Sequence, residues 1–422
     1  MSKLILSLTL CLIALVGSAQ DVQYFYTEAK QALEKKDYER FYFSIQKAHE
    51  LSPYNQNILW YCGLASALTN KPDESIEFLT RAININAAYE LDNLHLNSVT
   101  NLPGFQKLLK TQKILTAPII QSDTALVVQD RQLHLESVAF DPVGKVLYGG
   151  SIHKRKIIRI DSKGLVSDFT TAEQYKMGSV FGLKVDTKKN VLWACSSAIP
   201  EMQHYDSTLA SSLFRFDIKT GRLLESYQPA DTLTDHVFGD LALDSKGIPF
   251  VSDSRNNIIY KYNPLNNRLM PYFTSADFWN IQGLAFSDGD KYLYIADYVK
   301  GIFLLDTQTM QLTMVKVNYD LSLKGTDGIT LFKNSLITIQ NGVYPNRVVR
   351  HYMDPAGKAF IRYEYIDNAH PSFGEPTIGS LSGDNFYYVA NSQWNGYEKG
   401  TIKNPESLQP IVVLKYTFKA IK

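Results

Sequence analysis

Cysteine is scarce, with three in 422 residues. Cys11 lies in an N-terminal apolar run, which leaves Cys62 and Cys195 far apart in the chain. A domain built on a disulfide framework carries more. Neither cysteine has His or Cys neighbours at metal-ligand spacing, so both read as ordinary buried thiols. An excess of one charge is missing too: 43 Lys and Arg stand against 42 Asp and Glu, and no basic stripe points to nucleic acid. No apolar run reaches the ~20 residues that a membrane-spanning helix needs. The serine-hydrolase elbow Gly-x-Ser-x-Gly, the zinc motif His-Glu-x-x-His, the phosphate loop and the dinucleotide fingerprint are all absent. Covalent serine hydrolysis and nucleotide chemistry therefore have no support.

What is there begins with a secretory signal. In MSKLILSLTLCLIALVGSAQ, Lys3 is a short basic region, Leu4 to Val16 an apolar stretch, and Gly17-Ser18-Ala19 a small-residue cleavage site. Cleavage after Ala19 makes residues 1–19 a signal peptide and the protein exported, periplasmic or secreted. With Lys3 gone, 42 basic residues face 42 acidic ones. No Cys stands at the cut, so no lipid anchor is expected.

Residues 20–110 read as helical and repeat themselves. Setting Asp37-Tyr38-Glu39 over Lys71-Pro72-Asp73 brings Ile45 over Leu79 and Ala48 over Ala82, each offset by 34 residues. That is the tetratricopeptide period. AKQALEKKDYERFYFSIQKAHELSPYN and LASALTNKPDESIEFLTRAININAAYE resemble two such repeats, closed by a divergent capping helix that ends near Leu109. Such arrays offer a groove to a peptide or protein partner; the other reading is a structural appendage to the next domain. Residues 111–123 are expected to be the linker.

From Thr124 the period changes to two, with short aromatic and β-branched runs broken by Gly, Asp and Asn. The marker positions Asp141, Asp186, Asp244, Ser287, Phe332 and Ser382 are 45, 58, 43, 45 and 50 residues apart. Repeats of that size are four-stranded propeller blades. The fold class is thus mainly β, a six-bladed β-propeller over residues 124–422 behind a small all-α domain. The longest spacing contains Ala198 to Ser211, a loop on one face. Either the strand Ala125 to Val128 or the closing Ile411 to Phe418 should complete a shared blade.

GLKVDTKKNVLWACSS, SLFRFDIKTGRL, GDLALDSKGIPFVSDS, IQGLAFSDGDKYLYIADY and TDGITL resemble, in order, the blade motifs of the regucalcin/gluconolactonase family. More distantly they are similar to strictosidine synthase-like and royal-jelly propellers. Two residues before the expected start of each innermost strand, and so near the axis, stand Glu136, Phe181, Gly239, Gln282, Asp327 and Thr377. The resemblance implies a divalent cation at the channel end, held by a Glu, two Asn and an Asp. Glu136 takes the Glu place and Asp327 the Asp place, Gln282 replaces one Asn, and Gly239 stands where the other would be. Two carboxylates and an amide oxygen suit Ca²⁺, Mg²⁺ or Mn²⁺. Asp240 follows the vacant place as a substitute ligand. His236, His370 and Glu375 lie in loops that could reach the same mouth, a histidine or Asp327 serving as general base. Trp279, beside Asn280, could stack on a sugar ring.

Two functions stay open. One is an exported, metal-dependent lactone or ester hydrolase acting on a small lactone or sugar-acid ligand. The other is a non-catalytic propeller that binds a ligand or protein, with the helical repeats as its docking element. Neither involves nucleic acid or a membrane span.

Overall fold

A computed structural model describes residues 21–231 and 235–419. The expected signal peptide lies outside the described residues. The chain divides into two compact units, the second beginning at Pro118. Among the described residues no helix is long and apolar enough to cross a membrane.

The first unit is helical from residue 21 to 34 (α1), then Tyr38–Leu51 (α2), Gln56–Leu68 (α3), Pro72–Ile85 (α4) and Pro103–Thr116 (α5). α2 and α4 lie 34 residues apart at both ends, as the internal repeat requires. Local chemistry sets their starts: the Asp37 carboxylate accepts from Arg40 N, and Pro72 occupies the first turn of α4, where its missing N–H costs nothing. Small residues in LASAL let α3 approach α4 closely; a Cβ on Gly63 would lie 2.6 Å from Leu79. The division between the units falls inside the expected linker, 111–123, and regular structure reaches into that stretch from both sides. α5 continues through Thr116, and Ile119–Ile120 pairs antiparallel with Asn368 and Asp367 in the second unit. Leu115 is buried here, whereas Ile114 and Ile120 are more than half exposed; the pairing of Ile119–Ile120 is by backbone.

The second unit is a six-bladed propeller, as expected. The innermost strands of blades 1 to 6 are Leu135–Asp141, Ser179–Asp186, Phe238–Leu243, Ile281–Phe286, Thr326–Leu331 and Gly379–Ser382. Blades 1 to 4 each run outward through three further antiparallel strands in chain order. Both candidate closing strands are used, and in the same blade. Blade 6 runs Gly379–Ser382, Asn385–Val389, Ile411–Thr417 and, outermost, Asp123–Val128, so the start of the domain is sewn to its end.

Its cores lie between blades. One apolar cluster joins Trp193 of blade 2 to Phe238 and Tyr260 of blade 3, another joins Phe250 to Leu293 and Phe303, and another joins Leu135 and Ile158 of blade 1 to Val413 of blade 6. Each sheet is therefore covered on both faces. That is why second strands such as Val191–Ser197 and Tyr292–Asp297 are buried at every position instead of alternating.

Candidate functional site at the channel end

In blades 1 to 5 the pairing of the innermost strand with its neighbour slips once. The slips fall between Leu135 and Ser137, Val180 and Leu183, Phe238 and Leu241, Ile281 and Leu284, and Thr326 and Gly328. The skipped residues are Glu136, Phe181 with Gly182, Gly239 with Asp240, Gln282 with Gly283, and Asp327. A bulge bends the strand and re-aims the extra side chain; five of them around one axis turn these residues toward the channel. Close approach of the inner strands demands small residues beside them: a Cβ on Gly283 would lie 2.7 Å from Asp327 O.

These residues line one cavity of about 590 Å³ together with Tyr298, Asn341, Glu375 and Trp394. The loop 198–211 adds Ile199, Pro200 and Glu201 to its wall. Aspartates at the ends of second strands hold the segments that enter the site. Asp297 accepts from Trp279 N at 2.6 Å and Asn280 N at 3.0 Å, and Asp253 accepts from Val237 N at 3.0 Å.

Glu136 and Asp327 are 5 % and 8 % exposed. Glu136 Oε2 accepts from Ser392 Oγ and Trp394 Nε1, both at 2.9 Å. Asp327 Oδ2 accepts from Asn341 Nδ2 at 3.0 Å, and Asn341 Oδ1 in turn accepts from the Tyr298 hydroxyl at 3.0 Å. Burial, and after it the nearby Asp327 charge, push the Glu136 carboxyl well above its usual range despite those two hydrogen bonds. Burial pushes Asp327 up to about 7, with Asp240 and Glu375 adding to it and the Asn341 bond opposing it. Among the described residues neither carboxylate has a basic side chain in an ion pair.

The donor chemistry fits a hard cation. Gln282 donates its Nε2 to Asn280 Oδ1, and its Oε1 lies 3.3 Å from where a Gly239 Cβ would be, facing the axis. Two carboxylates deficient in positive charge and one amide oxygen thus share the cavity, although no group of three His, Cys, Asp or Glu side chains comes together for a metal among the described residues.

Asp240 is arranged differently. It is 1 % exposed, accepts from Leu284 N at 3.3 Å, and lies 3.7 Å from Lys184 Nζ. Burial raises its carboxyl and Lys184 opposes that, which makes it a weaker candidate ligand than Glu136 or Asp327. The two histidines do not join the site. His236 Nδ1 is 2.8 Å from Asp253 Oδ2 and its Nε2 is 3.5 Å from Asp231, inside the blade 3 entry loop. His370 Nδ1 accepts from Ser372 N at 3.1 Å. Neither is among the residues lining the cavity. Trp279, 44 % exposed, also lies outside it, with Lys300 5.2 Å above its ring. Glu375 does reach the mouth.

Sequence reasoning passed over Tyr298, Asn341 and Ser392. Each directly follows, or lies within two or three residues of, the end of a blade's second strand, in IADY, TIQN and VANS, and that shared position is the signal that would have found them.

No family model matches the chain, and no curated protein matches it. Solved structures with a similar fold include an aldose sugar dehydrogenase from Streptomyces coelicolor, 14 % identical over 72 % of this chain and all of that one, TM-score 0.49. A gluconolactonase from Xanthomonas campestris is 13 % identical over 71 % of this chain and 97 % of its own, TM-score 0.47. A calcium-binding protein, regucalcin, from Agrobacterium tumefaciens is 14 % identical over 69 % and 93 %, TM-score 0.47.

Proposed function

We propose that the channel-end site is hydrolytic and opens a lactone or a similar ester. The observation that carries the reading is the pair Glu136 and Asp327, two buried carboxylates with raised proton affinity and no basic partner, in one cavity. Such a pair accepts either a proton or a cation. Glu136, Asp327 and Gln282 would hold a hard dication of the Ca²⁺, Mg²⁺ or Mn²⁺ kind, whose contribution when bound is to polarise the ligand's carbonyl.

The chain's own groups do the rest. Asp327, steadied through one oxygen by Asn341, takes a proton from the attacking water and returns it to the ring oxygen as the ester bond opens. Ser392 and Trp394 fix the Glu136 carboxylate, so little reorganisation is needed on binding. The indole of Trp394 and the ring of Phe181, with Ile199, Val237 and Ile378, form the apolar part of the wall. Cleavage of 1–19, which the order of basic, apolar and small residues there supports, would put the activity after export; the mass of the mature N terminus tests it, Gln20 being expected and a retained Met1 contradicting it.

The direct test is a hydrolytic screen over sugar-acid and homoserine lactones with added Ca²⁺, Mg²⁺ or Mn²⁺, alongside elemental analysis of the purified protein. Turnover and about one metal per chain are expected. Asp327→Asn and Glu136→Gln should each cut kcat by ~10²-fold or more, the usual cost of losing a positioned acid, base or charge, with near-UV dichroism unchanged. Absence of both metal uptake and activity would favour the ligand-binding propeller, a reading that Gly239, in the place of an amide ligand, keeps in play.

A further inference from the structure

The charge around the cavity is one-sided. Among the described residues that line it, Glu136, Glu201, Asp240, Asp327 and Glu375 stand with one cation, Arg255, and Lys184, outside the wall, faces Asp240 alone of the five. The Arg255 side chain is 54 % exposed and its Nε is 3.1 Å from Asp235 Oδ2, so it stands at the rim with its own counter-charge. Asp240 is 1 % exposed, and its Oδ1 has Lys184 Nζ 3.7 Å away, so it adds little to the field at the mouth. A dication held deep in the site offsets two negative charges and leaves the mouth acidic. A cleft with one sign of charge and low-dielectric walls focuses that field on whatever enters.

Glu375 is the group at the mouth that sets this field without being tied to the candidate cation site. Its Oε1 accepts from Asn395 Nδ2 at 3.3 Å, and its backbone sits at φ 65°. That left-handed conformation is uncommon for a side chain other than Gly, Asn or Asp. Its charge reaches the centre, where it raises both Asp327 and Glu136.

We infer that the site selects ligands by charge, accepting neutral and amine-bearing ring compounds and rejecting those that carry a carboxylate or phosphate, with Glu375 as the specificity-determining residue. The ring-ligand part rests on the hydrolase reading; the charge selection does not.

The test uses three ligands of one shape that cannot be hydrolysed: a neutral aldonolactam, its cationic amidine, and a monolactam of an aldaric acid. Calorimetry on the full chain should find the acid at least about tenfold weaker than the lactam and the amidine at least as tight. Glu375→Gln should strengthen the acid by about tenfold while moving the lactam by less than about twofold. Arg255→Gln, which removes that lining cation, should weaken the acid further. Equal affinity for acid and lactam, or an equal change in all three with Glu375→Gln, overturns the inference.

A second readout needs no ligand. In a Trp279→Phe background Trp394 is the half-buried indole on the cavity wall, while Trp60 and Trp193 are buried. Cesium should quench its fluorescence more strongly than iodide, relative to neutral acrylamide at constant ionic strength, and Glu375→Gln should narrow the difference. Iodide quenching as strong as cesium defeats the charge selection. If none of the three ligands binds but the quenching order holds, the lactone reading fails and the charge selection stands.

Discussion

Glu136 and Asp327 hold protons at a pH where an exposed carboxyl has lost them, because the folded chain removes water from both and sets them in one cavity. The sign of the consequence follows from linkage. Both groups bind protons more tightly folded than unfolded, so in metal-free protein the folded state carries the extra protons between about pH 4, where an unfolded carboxyl titrates, and about pH 7, where Asp327 does. Their contribution to stability therefore falls as pH rises through that window. A tenfold difference in proton affinity between the folded and unfolded chain is worth about 1.4 kcal/mol, so the loss is on the order of a few kcal/mol. Thermal unfolding in excess chelator should show this decline, Asp327→Asn should flatten it, and a divalent cation should reverse it. A pH slope in Asp327→Asn equal to that of wild type would mean that the carboxyl is not held as described.

Strands and loops explain why these residues meet. The bulge repeated in five inner strands converts a regular ladder into a ring of inward-turned side chains, and the aspartates at second-strand ends pin the entering loops. His236 is occupied with that pinning, which is why a histidine that looked catalytic in the sequence is a loop anchor in the fold. A comparable anchor guards the closing blade. Asp367, fully buried, accepts from Gln121 N at 2.8 Å, Ser122 N at 3.2 Å, the Ser122 hydroxyl and the Tyr388 hydroxyl at 2.6 Å, just before the closing strand Asp123–Val128. Asp367→Ala strands these buried donors and should cost about 3 kcal/mol or more. Hydrogen exchange should speed up first over Asp123–Val128 and its partner Ile411–Thr417. Unchanged exchange there would show that the strand is held by its ladder alone.

For the whole molecule, closure through blade 6 separates two cuts in the chain. A protein beginning at Pro118 keeps the outermost strand and should fold by itself, because the second unit has its own cores between blades. One beginning at Gln132 lacks Asp123–Val128, exposes an unpaired edge and leaves the apolar cluster of Leu135, Ile158 and Val413 without Val128, and should be molten or insoluble. Near-UV dichroism and solubility distinguish them. A folded protein from Gln132 would overturn the role given to the closing strand; a molten protein from Pro118 would make the helices part of its core.

The sequence alone determined the blade number, the 34-residue offset of the helices and one residue per blade near the axis, Glu136, Gln282 and Asp327 among them, because repeats and strand periodicity are local and recur often enough to be read; it set these three two residues before strands that in fact begin at Leu135, Ile281 and Thr326 and so contain them. Tertiary structure decided the rest. Regular structure reaches into the stretch 111–123 from both sides, as the end of a helix and as a short strand on a sheet edge, and the two rival closing strands turned out to be neighbours in one blade. Tyr298, Asn341 and Ser392 became site residues through contacts with side chains 14 to 256 positions away. Asp240 lost its standing as a ligand through Lys184, which reaches it from the next blade. Burial and Coulomb interaction depend on distance in space, and a chain that returns to its axis six times brings together charges that no local pattern records.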